Sequence, residues 1–286
     1  MISKVVLLVT CPLDESLNSL LSQLGAKIPR KTPPLSDWDP KIPPPVSENL
    51  CFARHMAICT VPADIWADRS LPYRDKFKAG RFWDHRGSRS IIKKPQNGVN
   101  GAGEQWSDEA IESIEATENL GTTESSADEI TEGLFTGLFT GWVYLPIWWN
   151  CQDFAIRLGH LLTLSEQTCE VLNNILCNLR IEIREQVIRK RKNLFKNAAV
   201  ILSLVAPPFG PLGAWAVGST YTMIDWHRRK AWEVNLELME QRYPKLRDVH
   251  KRLLETDDDC RLEHEAEDEA EARELSHSAR ASFGSG

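Results

Sequence analysis

From Asn197 to Ile224 no side chain carries a charge, and this run limits the folds open to the chain more than any other stretch. A helix needs roughly 20 apolar residues to span the hydrocarbon core of a bilayer. The run is long enough, but Pro207, Pro208, Gly210 and Pro211 break its middle. Proline removes a helical hydrogen bond and clashes with the preceding turn. Each half is then too short to cross alone. Arg189, Lys190, Arg191, Lys192 and Lys196 precede the run, and Arg228, Arg229 and Lys230 follow it. Positive charge on both flanks favours both ends on the cytoplasmic side. An apolar hairpin dipping into one leaflet meets these conditions. A kinked single span and a soluble hairpin buried against the core are the competing forms. A broken tip in lipid must be buried in protein or sit near the headgroups, because unpaired backbone is costly there. The expectation is a membrane-associated segment over 197–224.

The second constraint is Asn150-Cys151-Gln152-Asp153-Phe154. It lies between an aromatic run, Trp142 to Trp149, and a long helical pattern. Cys151 therefore falls in the first turn of a helix, where free backbone N–H groups and the positive dipole end favour a thiolate. The thiolate is the nucleophilic form, so the position suits covalent catalysis. A buried structural thiol needs no such placement. Asn150 is either the helix cap or a donor toward the reacting carbonyl, and capping is the preferred reading. Asp153 points away from the thiol and stabilises the helix start through its charge.

A nucleophilic thiol needs a base. Ala53-Arg54-His55-Met56-Ala57-Ile58-Cys59-Thr60-Val61 reads as a β-strand with His55 near its start. A strand histidine facing a helix cysteine is the minimal thiol–imidazole pair. A histidine that merely satisfies a core carbonyl is the plainer reading of His55 taken alone.

His55-x-Ala57-Ile58 on a strand, followed by Asn150-Cys151-x-x-Phe154 opening a helix, resembles the permuted papain-like thiol enzymes. These include lecithin–retinol acyltransferase, its phospholipase/acyltransferase relatives and the PPPDE peptidases. In the lipid-acting members the second motif usually reads Asn-Cys-Glu-His-Phe, and this chain matches it at Asn, Cys and Phe. Trp usually follows the histidine, where this chain has Met56. The resemblance covers roughly residues 45–165. It implies an α+β fold, a small antiparallel sheet packed on the cysteine helix. It also implies a third polar residue that orients the histidine from the next strand. Asp84 and His85 are the nearest candidates, and His85 is assigned the role. Several lipid-acting members carry a hydrophobic anchor beyond the cysteine, as 197–224 does here.

The remaining sequence sets the boundaries. Residues 1–45 form a first strand over Val5–Val9, a short helix over Ser16–Leu24 and a proline-rich lead-in. Residues 46–165 form the thiol-hydrolase-like domain, with a mostly disordered insert at 95–128. Within it Gln105–Leu120 carries a weak helix, and a firmer one starts at Asp128-Glu129-Ile130. Residues 166–254 are helical, and Pro244 kinks or splits the last part. Residues 255–286 form an acidic disordered tail that a basic protein partner would suit.

The net charge of −6 argues against a nucleic-acid binder. The seven cysteines show neither disulfide-like nor zinc-like spacing. That pattern fits a reducing, intracellular compartment. The apolar run after Lys4 is too short for a signal-peptide core. The function expected is a membrane-associated, cysteine-dependent acyl hydrolase or acyltransferase acting on a lipid ester or amide. It requires neither cofactor nor metal. Its partners are the bilayer and a lipid or acylated substrate. A thiol peptidase and a non-catalytic membrane scaffold are the alternatives.

Overall fold

A computed structural model describes residues 3–12, 34–46, 54–85, 101–140, 142, 150–183, 234 and 236–256. The architecture is α+β. Five antiparallel strands make one sheet: β1 (Lys4–Pro12), β2 (Arg54–Pro62), β3 (Arg81–Trp83), β4 (Ala102–Glu104) and β5 (Ala116–Thr123). Their spatial order is β4-β3-β2-β1-β5.

Both faces of this sheet are covered, which explains why β1 and β2 read as nearly continuous apolar runs. Alternation sends Val6, Leu8, Met56, Ile58, Trp83 and Leu120 to one face. There they meet Phe154, Ile156 and Leu158 of the cysteine helix (Cys151–Leu162) and Leu172 of the long helix after it (Glu166–Ile183). Val5, Leu7, Val9, Ala57, Cys59 and Phe82 turn to the other face. Leu35, Trp38, Tyr73, Phe77 and Trp106 cover them from short helices and connections. The proline-rich lead-in belongs to this second layer: Tyr73 donates to the Ile42 carbonyl at 2.7 Å, and Pro45 accepts from the Thr117 amide at 2.9 Å.

The first strand is not part of a separate N-terminal unit, for β1 lies between β2 and β5 within the sheet. The expected disordered insert is also corrected over 101–128. That stretch holds β4, a short helix (Asp108–Glu112) and β5. Edge strands need few apolar residues, and β5 buries only Ala116, Thr117 and Leu120. Its polar composition therefore looked like disorder. Gly121, at φ +105°, sits where the β1–β5 register shifts between Val6 and Leu7. A bulge of this kind favours glycine in the left-handed region.

The helix expected near Asp128 begins at Ala127. Ser126 and Glu129 form a reciprocal capping box, with the Glu129 amide donating to Ser126 Oγ at 3.1 Å. It continues through a wider π turn (Ile130–Phe135) into Thr136–Thr140. The periodic pattern after Cys151 resolves into the two long helices, parted at residues 163–165. Pro244 does split the later pattern: residues 236–242 and 247–256 are helical, with a 3-10 turn (Pro244–Leu246) between them.

The expected Ser16–Leu24 helix, the apolar segment 197–224 and the acidic tail beyond residue 256 lie outside the described residues. Among the described residues no helix is long and apolar enough to cross a membrane.

Candidate active site

Cys151 is the first residue of its helix, and the reason is local. Asn150 is in extended conformation, and its Oδ1 accepts from the amides of Gln152 at 2.9 Å and Asp153 at 3.2 Å. Two orphan donors of the first turn are thereby satisfied. Those two amides are taken up by the cap. The thiol itself is buried, 4 % exposed.

His55 stands near the start of β2 and is half-buried. It interacts with Cys151 both by hydrogen bond and by charge. Its Nε2 lies 2.9 Å from Asp84 Oδ2. A carboxylate only accepts, so Nε2 carries the proton there and Nδ1 is the ring nitrogen left for the sulfur. Burial alone would lower the imidazole pKa. The Cys151 charge and the Asp84 hydrogen bond overcome it and raise the value from 6.5 to about 10. Trp106 stacks over the His55 ring at 6.4 Å between centroids and is itself stacked on Phe82 at 4.3 Å.

The histidine's partner is Asp84, not His85, which corrects the expected assignment. The register explains it. Trp83 lies opposite Ile58 and Phe82 opposite Cys59. Asp84 continues the Phe82 side, as His55 continues the Ala57 and Cys59 side. His85 takes the opposite side with Trp83. Its ring packs against Phe139 at 5.0 Å, Phe154 at 5.3 Å and Trp142 at 6.2 Å. Burial there pushes its pKa down to about 4. It is a neutral core histidine behind the site.

Asp84 is fully buried and is fixed at both ends. Its amide donates to the Gly101 carbonyl at 3.0 Å, and its Oδ1 accepts from the Gly101 amide at 3.1 Å. A Cβ at Gly101 would sit 2.3 Å from that Oδ1. Only glycine allows the backbone so close.

Two further groups were not legible in the sequence. Gln152 is buried, and its Nε2 donates to the Arg54 carbonyl at 2.9 Å. Asp153 does point away from the thiol, but into a buried ionic cluster. Arg157 Nη1 meets Asp153 Oδ1 at 3.0 Å, and Arg180 Nη2 meets the same oxygen. Arg157 Nε donates to His250 Nε2 at 3.2 Å, and His250 Nδ1 lies 3.0 Å from Glu240 Oε1. Burial lowers the Arg157 pKa to about 10, opposed by Asp153 and reinforced by Arg180. This cluster pins the cysteine helix to the helices that follow it. The spacing of Asp153 and Arg157, one helical turn apart, was its single local signal.

The arrangement can hold a thiolate beside an imidazolium and present it to a carbonyl carbon. Among the described residues no group of three or more His, Cys, Asp or Glu side chains is placed to hold a metal ion. No family model, curated protein or solved structure matches this chain.

Proposed function

We propose that the chain is a cysteine-dependent acyl hydrolase or acyltransferase that works on a lipid ester or amide at a membrane surface. One observation carries the reading: His55 joins Asp84 on one side and Cys151 on the other. That is the nucleophile–base–orienter relation of covalent acyl transfer. Histidine on a strand of a small antiparallel sheet and cysteine at a helix start also support the permuted papain-like resemblance. A non-catalytic scaffold needs no residue to orient His55, so the contact of Asp84 with His55 favours the catalytic reading over it.

The Cys151 thiolate attacks the carbonyl carbon, forming a C–S bond and an oxyanion. The oxyanion collapses, the leaving alkoxide or amine takes the His55 proton, and a thioester remains. A water or acceptor hydroxyl then gives its proton to His55, attacks the thioester and returns the thiolate. The apolar segment 197–224, with basic residues at both ends, would hold this site against its substrate as a membrane hairpin.

The test is release of free fatty acid from phospholipid vesicles by the full chain in wild type and in Cys151→Ser. Release that the substitution abolishes supports the proposal. Cys151-dependent cleavage of peptides without fatty acid release assigns the site to the peptidase reading. Neither reaction, with an ordinary thiol at Cys151, leaves the scaffold.

A further inference from the structure

We infer that Gln152 is a positioning residue that sets the separation of Cys151 and His55, an inference that rests on the thiol–imidazole reading above. Gln152 directly follows the cysteine and is 1 % exposed. Its Nε2 donates at 2.9 Å to the carbonyl of Arg54, the residue directly before His55. Its Oε1 accepts at 3.5 Å from Nδ2 of Asn150, the residue directly before Cys151. One side-chain amide thus ties the backbone beside the nucleophile to the backbone beside the base.

The location is one where the sheet cannot supply that tie. The Ala63 amide donates to the Ser3 carbonyl, and the alternation from there makes Arg54 and Pro12 a non-hydrogen-bonded pair. The Arg54 carbonyl therefore faces away from β1 toward the β3 side, where among the described residues β3 pairs only Ile58, Cys59 and Thr60. Gln152 brings a donor to the end of the ladder. The anchor is itself held, because Arg54 Nε meets Glu115 Oε2 at 2.7 Å. First turns of helices fray, and a thiol drifting by about 1 Å from its base loses much of the coupling. A side chain with both a donor and an acceptor is needed here. Glutamate keeps the size but turns lone pairs toward the Arg54 carbonyl. Alanine removes both bonds.

The test is the pH dependence of iodoacetamide alkylation at Cys151, read by peptide mass spectrometry on the full chain in mild detergent. Wild type, Gln152→Ala, Gln152→Glu and His55→Ala are compared. Near-UV circular dichroism identifies folded protein, and Gln152→Glu, the variant of equal size, guards against a folding failure in Gln152→Ala. The expected result is a folded Gln152 variant whose alkylation at pH 6 is on the order of tenfold slower than wild type, with the apparent thiol pKa moved toward the free value of about 8.5. A folded variant that keeps the wild-type, His55-dependent profile overturns the role of Gln152 alone. A wild-type thiol that is ordinary and indifferent to His55→Ala overturns the thiol–imidazole reading, and this inference with it.

Discussion

Asp84→Asn is expected to slow acyl transfer on the order of 10³-fold or more while leaving the melting temperature close to that of wild type. The side chain keeps its size, and its oxygen can still accept from the Gly101 amide, which the carboxylate holds at 3.1 Å. The other arm becomes an NH2 group facing His55 Nε2. It can only donate, so the ring must place its proton on Nδ1, toward the sulfur. The imidazole then has no lone pair for the thiol proton. The charge that steadies the imidazolium is lost as well. His55 should titrate well below its present value of about 10, since the Asp84 bond and charge both help raise it. Steady-state turnover together with NMR titration of the His55 ring checks both parts. A loss below about tenfold, with the His55 titration unmoved, would remove Asp84 from the mechanism.

Asp153→Ala is expected to destabilise the fold by about 3–5 kcal/mol. Asp153 is 2 % exposed and meets two guanidinium groups, Arg157 and Arg180, both buried. Without it two like charges face each other with no carboxylate between them. Burial already depresses the Arg157 pKa to about 10 with the carboxylate present. Breaking a buried ion pair on one side costs far more than the pair contributes, because the surviving charge stays desolvated. Asp153→Asn keeps an acceptor and should fall between alanine and wild type. Urea unfolding of the three proteins measures the difference. A change under about 1 kcal/mol for Asp153→Ala would show that the cluster is solvated or rearranges, as exposed pairs do.

The two residues that meet at the site were legible because each sits at a boundary with its own local signal. The strand around His55 shows in its β-branched and apolar run. The start of the cysteine helix shows in Asn150, whose capping role is borne out by two bonds to the first turn. The sequence narrows the third residue to Asp84 or His85 without separating them, and it is Asp84 that meets His55. Strand parity decides between them, but parity needs the β2–β3 register, which a connection from Ala63 to Gly80 conceals. β5 was missed because an edge strand that buries one large apolar residue, Leu120, looks like a polar linker. Gln152 and Gly101 had no local signal. The first matters through a carbonyl on a distant strand and the second through the space its missing side chain leaves. The ionic cluster at Asp153 draws on four helical segments, and only its Asp153–Arg157 pair lies within one helix.

The coupling of Cys151 and His55 has a definite pH signature. The folded pKa of His55 lies above its ordinary 6.5, at about 10. Its contribution to stability is therefore whole below pH 6.5 and is lost as pH rises through about 10. The same coupling must act in reverse, so an imidazolium held at neutral pH favours the thiolate of Cys151. The most direct measurement is the pH–rate profile of iodoacetamide alkylation at Cys151 in wild type and in His55→Ala, with the protein folded in mild detergent. The coupled pair requires an apparent thiol pKa well below the free value of about 8.5 in wild type, rising in the mutant. A wild-type profile at or above that value, unchanged by His55→Ala, would contradict the pair and the acyl-transfer chemistry built on it.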